Sequence, residues 1–240
     1  MKALILAGGK GLRLRPFTDD KPKPLVAVAG KPIAEWQLDW LRANVDLEEV
    51  IFLCGWKWER LREHFGENYH GVKVDYSVEE TPLGTGGAFR KAILEKRVGD
   101  EHVAMLNGDI ITDLRLGDMA TAHQSAEPNP AITLLLVPYK SRFGIVHIDS
   151  KKFVKSFEEK PVFSDVWING GIYVGNAKRL LKDLPEKGDI ERETFPKLAS
   201  LGQVMAYPYR GFWSLVDSVK DVQEAENELK ARQGPMPSPV

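Results

Sequence analysis

The chain has 240 residues, 43% of them hydrophobic and 28% charged, which is enough for one large α/β domain with a substantial core. Its 33 basic and 34 acidic residues give a formal net charge of −1, which excludes a general electrostatic attraction to nucleic acid. A single cysteine, Cys54, excludes a disulfide-stapled secreted scaffold, and no apolar run is long enough for a membrane span or a signal peptide, so we expect a cytoplasmic protein.

Strand-like and helix-like segments alternate through the first half of the chain. Short apolar or alternating runs predict strands at residues 3–6, 50–53, 72–78, 102–106 and 131–137. Apolar residues at helical spacing predict helices between them, at residues 33–41, 58–65, 87–94 and 116–124. This alternation predicts βαβ units around a mainly parallel sheet.

The second half of the chain changes rhythm. Close-set strands with short turns are predicted at residues 144–148, 153–157 and 167–174, followed by helices at residues 179–184, 190–201 and 220–232. The strands indicate a β-rich extension built onto the same domain. We therefore expect one domain over residues 1–232, followed by a disordered, proline-rich tail at residues 233–240.

The first predicted strand leads directly into a glycine-rich loop, Leu6-Ala7-Gly8-Gly9-Lys10-Gly11-Leu12-Arg13-Leu14. Glycines let the backbone approach phosphates closely, and the carboxyl end of a parallel strand is where ligands bind in open α/β sheets. A dinucleotide-binding loop would need a glycine in place of Leu14, and a P-loop would need Gly-Lys-Ser/Thr where Gly11 is followed by Leu12. The fixed cations Arg13 and Lys23 suit a polyphosphate, especially a pyrophosphate leaving group.

Taken alone, such a loop is also compatible with plain turns and solvated cations. The whole run is more specific, because Pro16, Thr18 and Lys23-Pro24-Leu25 accompany the glycines and Arg13. It resembles the signature of the sugar-1-phosphate nucleotidylyltransferases, and further motifs extend the resemblance over most of the chain. The resemblance implies that Leu6, Ala7, Gly8, Gly9 and Gly11 bind the nucleotide and that Arg13 and Lys23 are catalytic.

A polar, glycine-rich turn at residues 79–88 follows the third predicted strand and opens a helix. Its amides and the Thr85 hydroxyl are candidates to line a nucleotide pocket, while the plainer alternative is that Thr85 caps the helix. In the family, the matching Pro-Leu-Gly-Thr segment contacts the base and ribose, which implies binding roles for Pro82, Gly84 and Thr85. The segment most resembles the guanylyltransferases that act on mannose- or heptose-type phosphates.

Asn107-Gly108-Asp109 follows a buried strand, so the aspartate can reach into the ligand crevice. A carboxylate is a hard ligand that suits Mg²⁺, although a simple turn aspartate is the alternative. The resemblance implies that Asp109 binds the metal and that Asn107 and Gly108 contact the nucleotide.

The run from Gly211 to Ser218 resembles the family's C-terminal motif, whose aspartate is the second metal ligand, here Asp217. Many members have glycine two residues later, where this chain has Val219, and the Phe-Trp spacing before Asp217 looks more like the cytidylyltransferases. Capping of the last helix by Asp217 or Ser218 is the alternative.

Three further segments resemble the family's sugar-binding parts. Glu159-Lys160-Pro161 matches a motif whose glutamate accepts hydrogen bonds from sugar hydroxyls and whose lysine holds the sugar phosphate, although an adjacent Glu and Lys also suit a solvated turn. The resemblance implies that the sugar phosphate is bound by Gly144, Glu159, Lys160, Asn169 and Gly170.

The resemblance implies a three-layer, Rossmann-like domain that uses Mg²⁺ to join a nucleoside triphosphate to a sugar 1-phosphate with release of pyrophosphate. GTP with a mannose- or heptose-type 1-phosphate is favoured; UTP, dTTP or CTP with glucose 1-phosphate is the alternative. A non-catalytic, nucleotide-sugar-sensing regulatory subunit and, more weakly, a nicotinamide-dependent oxidoreductase stay open. The expected partners are these small molecules, with no nucleic acid and no membrane, and a homo-oligomer is left open.

Overall fold

The computed structural model describes residues 1–99 and 102–232; the predicted tail at residues 233–240 lies outside them. The strands are β1 Lys2–Ala7, β2 Ala27–Val28, β3 Lys31–Pro32, β4 Glu49–Cys54, β5 Asn68–Tyr69, β6 Val72–Val78, β7 His102–Asn107, β8 Ile110–Thr112, β9 Ile132–Lys140, β10 Ile145–Ile148, β11 Val154–Glu158, β12 Val162–Asn176, β13 Val204–Pro208 and β14 Trp213–Leu215. The helices are α1 Ile33–Asn44, α2 Trp58–Phe65, α3 Gly84–Glu95, α4 Leu116–Ser125, α5 Ala177–Leu180, α6 Thr194–Ser200 and α7 Val219–Ala231.

The main sheet has the strand order β13-β9-β12-β7-β1-β4-β6-β5. β7, β1, β4 and β6 run parallel to one another, while β12 pairs antiparallel with both β7 and β9. Helices α1, α2 and α4 pack on one face, and helices α3, α5 and α6 pack on the other. The predicted three-layer α/β fold with a mainly parallel mixed sheet is therefore confirmed.

The parallel strands determine where the functional loops meet. β1, β4, β6 and β7 are adjacent and point the same way, so the loops that follow them gather at one edge of the sheet. β1 lies at the centre of this group, and its Ala3, Leu4 and Ile5 are fully buried because helices cover both faces.

The predicted β-rich extension is also present. β10 and β11 form a separate two-stranded antiparallel ribbon, and every residue of β11 is exposed. β12 begins at Val162, five residues before the predicted strand, and its pairing with β9 shifts register twice. Among the described residues, no helix combines the length and the apolar character needed to cross a membrane.

The helix predicted at residues 190–201 is shorter in the structure, where α6 begins only at Thr194. The segment before Thr194 is instead hydrogen-bonded to α3. The Gly188 carbonyl accepts hydrogen bonds from the Gly86 and Gly87 amides of α3, and the Ile190 amide donates to the Thr85 hydroxyl. These contacts bind the segment to α3 in an irregular conformation, which local helical spacing alone does not predict.

One buried histidine makes the fold sensitive to acid. His123 on α4 is fully buried, and its Nδ1 lies 2.8 Å from the Thr133 hydroxyl on β9. Burial, with smaller contributions from His102 and Arg179, lowers the pKa of His123 from its ordinary 6.5 to about 4. At this residue the unfolded chain therefore binds up to one more proton than the folded chain between these two pH values.

We expect the free energy of unfolding to fall as the pH is lowered from about 6.5 to about 4, with a slope of up to about 1.4 kcal/mol per pH unit from this residue. Urea unfolding across this range measures the slope. His123→Gln should reduce the slope, whereas His147→Gln, on the exposed β10, should leave it unchanged. Equal slopes in the wild type and His123→Gln would contradict the prediction.

Candidate active site

A cavity of about 990 Å³ opens at the edge of the sheet where the loops after β1, β4, β6 and β7 meet. Its size is that of a ligand site. Every residue predicted to bind the nucleotide lines it: Leu6, Ala7, Gly8, Gly9, Gly11, Pro82, Gly84, Thr85, Asn107 and Gly108. The predicted catalytic and metal-binding residues line it as well: Arg13, Lys23, Asp109 and Asp217.

The glycine loop is shaped by its own backbone. Gly11 has a φ of +59°, a left-handed conformation that side-chain-bearing residues rarely adopt, and its carbonyl accepts a 2.8 Å hydrogen bond from the Thr18 hydroxyl. The short 3₁₀ helix that follows, Leu12–Leu14, buries Leu14 and carries Arg13, whose side chain stays 72% exposed. The loop thus anchors one residue in the core and presents a cation at the cavity.

Arg13, Lys23, Asp109 and Asp217 form a connected charged cluster. Lys23 Nζ lies 2.6 Å from Asp109 Oδ2 and 2.9 Å from Asp217 Oδ1. Arg13 Nη1 lies 2.7 Å from Asp217 Oδ2. The lysine and both aspartates are less than a quarter exposed, so their interactions are screened less than those of surface pairs.

A small ribbon of two strands places Asp217 beside Asp109. β14 pairs antiparallel with β8, and the Val216 amide donates a 2.8 Å hydrogen bond to the Asp109 carbonyl. At the start of α7 the Ser218 hydroxyl accepts from the Asp221 amide, and the Asp221 carboxylate accepts from the Ser218 amide. This reciprocal cap leaves the Asp217 carboxylate to the charged cluster, so the helix-capping alternative is wrong for Asp217 and right for Ser218.

The two aspartates fit a divalent metal ion. Asp109 Oδ1 is buried and has no hydrogen-bond partner among the described residues, so this oxygen is available to a ligand. Residues 1–99 and 102–232 contain no group of three or more His, Cys, Asp or Glu side chains that could hold a metal. A site of two carboxylates suits Mg²⁺, which takes its remaining ligands from water and substrate phosphates.

Thr85 is engaged within the protein. Its hydroxyl donates to Glu191 Oε2 at 2.6 Å and accepts from the Ile190 amide at 3.0 Å, while the Gly86 and Gly87 amides donate to the Gly188 carbonyl. The Gly86 and Gly87 amides and the Thr85 hydroxyl therefore already have partners within the protein. Because α3 begins at Gly84 with Leu83 as its N-cap, the interpretation of Thr85 as an N-cap is wrong.

Sequence reasoning missed several residues that also line the cavity: Lys10, Gly55, Trp56, Glu79, Glu80 and Asp189. Gly55 and Trp56 directly follow β4, and Glu79 directly follows β6, so the strand-end rule applied to every parallel strand would have found them. The ammonium groups of Lys10 and Lys57 lie over the Trp56 ring, each 5.4 Å from its centroid, and make cation–π contacts with it.

Glu79 is held tightly against the glycine loop. A Cβ added to Gly8 would lie 2.6 Å from Glu79 Oε1, and one added to Gly55 would lie 3.1 Å from it. Glu79 Oε2 accepts a 3.0 Å hydrogen bond from the Leu83 amide. The carboxylate therefore lies between the glycine loop and the Pro82 turn. Glu79 follows β6 and Asp109 follows β7, which are the two outer strands of the parallel group.

The predicted sugar-phosphate residues do not line this cavity. Gly144 and Glu159 are neighbours at the base of the β10–β11 ribbon, since a Cβ on Gly144 would lie 2.9 Å from Glu159 Oε2. Lys160, with a φ of +48°, lies between β11 and β12.

Asn169 and Gly170 lie on β12 and are held by internal hydrogen bonds. Asn169 Nδ2 donates to the Tyr173 hydroxyl at 2.8 Å, and the Gly170 carbonyl accepts from Trp213 Nε1 at 2.8 Å. The next residue, Gly171, approaches the cavity wall, because a Cβ there would lie 2.7 Å from Asn107 Nδ2. The structure thus places this segment of β12 beside the cavity.

Comparison with known proteins gives a consistent result. The family model described as nucleotidyl transferase matches residues 2–232. A D-glycero-alpha-D-manno-heptose 1-phosphate guanylyltransferase of Aneurinibacillus thermoaerophilus is 33% identical over 96% of this chain and 99% of its own length. A mannose-1-phosphate guanylyltransferase catalytic subunit beta of Dictyostelium discoideum is 35% identical over 97% of this chain and 67% of its own length.

Solved structures are similar to this chain over nearly its whole length. HddC from Yersinia pseudotuberculosis superposes with a TM-score of 0.71 and 25% identity, covering 95% of this chain and 99% of that one. The same protein complexed with GMP-PN gives a TM-score of 0.70 with the same coverage.

Proposed function

The chain belongs to the nucleotidyl transferase family, and we propose that it transfers a guanylyl group from GTP to a mannose- or heptose-type sugar 1-phosphate, releasing pyrophosphate. The charged cluster carries this proposal. It combines two carboxylates with a lysine and an arginine at the mouth of a glycine-lined cavity. A reaction that transfers a nucleotidyl group from one highly charged molecule to another requires this combination of positioning and charge neutralisation.

The residues of the cluster have distinct roles in the proposal. Lys23 binds the nucleotide phosphates, and the exposed Arg13 guanidinium stabilises the departing pyrophosphate through bidentate hydrogen bonds. Asp109 and Asp217 hold Mg²⁺, which supplies charge neutralisation on the phosphates when bound. The glycines and the loop backbone bring the α-phosphorus to a fixed position for in-line attack by the sugar-phosphate oxygen.

The sugar 1-phosphate binds on the β12 side of the cavity in this proposal. Asn169, Gly170 and Gly144 line its path, Glu159 accepts hydrogen bonds from sugar hydroxyls, and Lys160 binds the phosphate. The support is the contact of the β12 segment with Asn107, which joins this side of the sheet to the cavity. We assign the whole of residues 1–232 to this one catalytic domain and place the protein in the cytoplasm, in keeping with its single free, buried Cys54.

Glu79 supports guanine as the base. An ionised carboxylate only accepts hydrogen bonds, and guanine presents adjacent N1–H and N2–H₂ donors on one edge. The other bases lack this pair of neighbouring donors. Since Glu79 is fixed at the cavity wall by the Leu83 amide, a bound guanine can be read without reorganising the site.

We expect Glu79→Gln to lower the preference for GTP over UTP and dTTP by roughly 10- to 100-fold in kcat/KM, because a hydrogen bond to a charged group contributes about 1.5–3 kcal/mol. The amide of Gln keeps an oxygen for the Leu83 amide, so the wall should stay in place. Glu80→Gln, which changes an exposed carboxylate in the same wall, is the matched control. An unchanged base preference in Glu79→Gln would remove Glu79 from base recognition.

Pyrophosphate release with Mg²⁺ over a grid of substrates tests the function as a whole. GTP, UTP, dTTP, CTP and ATP are each paired with the 1-phosphates of mannose, glucose, N-acetylglucosamine and heptose. We expect release that needs both substrates, is abolished by EDTA and is fastest with GTP and mannose or heptose 1-phosphate. If no substrate pair gives pyrophosphate release and the protein binds only finished nucleotide sugars, the result would favour a regulatory subunit instead.

A further inference from the structure

A polar side chain of helix α1, Gln37, contacts the backbone beside the candidate active site. Gln37 is 2% exposed, and its Nε2 donates to the Asn107 carbonyl at 2.8 Å and to the Ile110 carbonyl at 3.1 Å. Its Oε1 is buried with no hydrogen-bond partner among the described residues. Burying an amide oxygen without a hydrogen-bond partner costs free energy. What Gln37 contributes that an apolar side chain could not is therefore its two donated hydrogen bonds.

Both accepting carbonyls belong to the turn that carries Asp109. Residues 107–110 connect β7 to β8, and Asp109 lies between the two carbonyls that Gln37 binds. The same turn is held from two other directions. A Cβ on Gly108 would lie 2.1 Å from the Leu6 carbonyl of β1, and the Asp109 carbonyl accepts from the Val216 amide at 2.8 Å.

Gln37 supplies the only one of these three constraints that comes from a side chain. The approach of Gly108 to β1 and the bond to Val216 are backbone contacts, which a point substitution of Gln37 leaves intact. The amide of Gln37 spans the turn from one end to the other, and so it limits rotation of the two peptide units whose carbonyls belong to Asn107 and Ile110, one before and one after Asp109. Asp109 itself is held in front by Lys23 at 2.6 Å.

We propose that Gln37 is the positioning residue for Asp109, and that its two hydrogen bonds hold the 107–110 turn so that the Asp109 carboxylate meets a divalent cation without reorganisation. Gln37 touches neither substrate nor cation and acts through the backbone of the turn. The inference rests on the proposed function, because it takes Asp109 as a ligand of the cation. Groups that orient a metal ligand typically change metal affinity by 10- to 100-fold when they are removed.

The test measures binding of Mn²⁺ alone to the full chain by electron paramagnetic resonance, which counts free Mn²⁺ directly. Gln37→Met keeps the length and helix propensity of the side chain but removes both donors. Trp40→Phe is the matched control, since Trp40 lies on the same helix, is 6% exposed and donates its Nε1 to the Leu114 carbonyl at 2.7 Å, outside the site. Asp109→Asn reports on the site itself.

We expect Gln37→Met to bind Mn²⁺ about tenfold more weakly than the wild type, and Trp40→Phe to bind it as the wild type does even though it also loses a buried hydrogen bond. In steady-state assays Gln37→Met should need more Mg²⁺ and show a lower kcat, with the KM for the sugar 1-phosphate unchanged. If Gln37→Met does not fold, Gln37→Asn, whose amide is one methylene shorter, should show the same weakening.

Wild-type Mn²⁺ affinity in Gln37→Met, or in Gln37→Asn where Met is not tolerated, would overturn the positioning role while leaving Asp109 as a ligand. Equal weakening in Trp40→Phe and Gln37→Met would also overturn it, because the effect would then follow from general destabilisation of α1. Unchanged Mn²⁺ binding in Asp109→Asn would overturn the proposed function of Asp109 and the inference with it. The two failures are therefore distinguishable.

Discussion

Arg13→Ala is expected to lower turnover by about 10²-fold or more. Arg13 is the most exposed member of the charged cluster, with its side chain 72% exposed and its Nη1 2.7 Å from Asp217 Oδ2. Loss of one fixed donor aimed at developing charge typically costs about 10²- to 10³-fold in turnover. Because the guanidinium is solvated and makes this one ion pair among residues 1–99 and 102–232, the free energy of unfolding should change little.

Arg15→Ala is the control for this experiment. Arg15 is two residues away, is 60% exposed, pairs with Asp19 and does not line the cavity. Pyrophosphate release by the two variants separates a specific role in the reaction from a general loss of positive charge near the glycine loop. Near-normal turnover of Arg13→Ala would remove Arg13 from the mechanism, and an equal loss in Arg15→Ala would show that only local net charge matters.

Asp109→Asn is expected to lower turnover by about 10³-fold, since charge stabilisation at a metal site is worth several kcal/mol and each 1.36 kcal/mol is tenfold in rate. The substitution keeps the shape of the side chain, but it halves the negative charge around Lys23, which then pairs with Asp217 alone. Removing Mg²⁺ with EDTA should abolish wild-type activity and leave the residual activity of Asp109→Asn nearly unaffected. Pyrophosphate release at several Mg²⁺ concentrations measures both effects.

Asp113→Asn, four residues farther along, serves as the matched control for Asp109→Asn. Asp113 accepts from the Phe212 amide at 2.8 Å and pairs with Arg232, and it does not line the cavity. We expect lower stability with turnover and Mg²⁺ dependence close to those of the wild type. Activity in Asp109→Asn comparable to that of Asp113→Asn would show that Asp109 serves the fold and not the reaction.

The amino-acid sequence by itself determined the fold class, the family and the reaction class, all of which are confirmed. The reason is that this information is local. Apolar strands ending in the glycine loop and in Asn107-Gly108-Asp109 are readable within a few residues, and parallel strands bring such ends to the same edge of a sheet. The binding roles of the individual site residues stay predictions.

The tertiary structure decided the points that depend on long-range contacts. The pairing of β14 with β8 sets Asp217 beside Asp109, more than a hundred residues earlier, and separates it from the helix cap at Ser218. The partners of Thr85 and Gln37 likewise come from distant segments. Local patterns cannot specify these contacts, because side chains with the same sequence neighbours are either capping groups, structural clamps or free ligands according to which strand or loop folds against them.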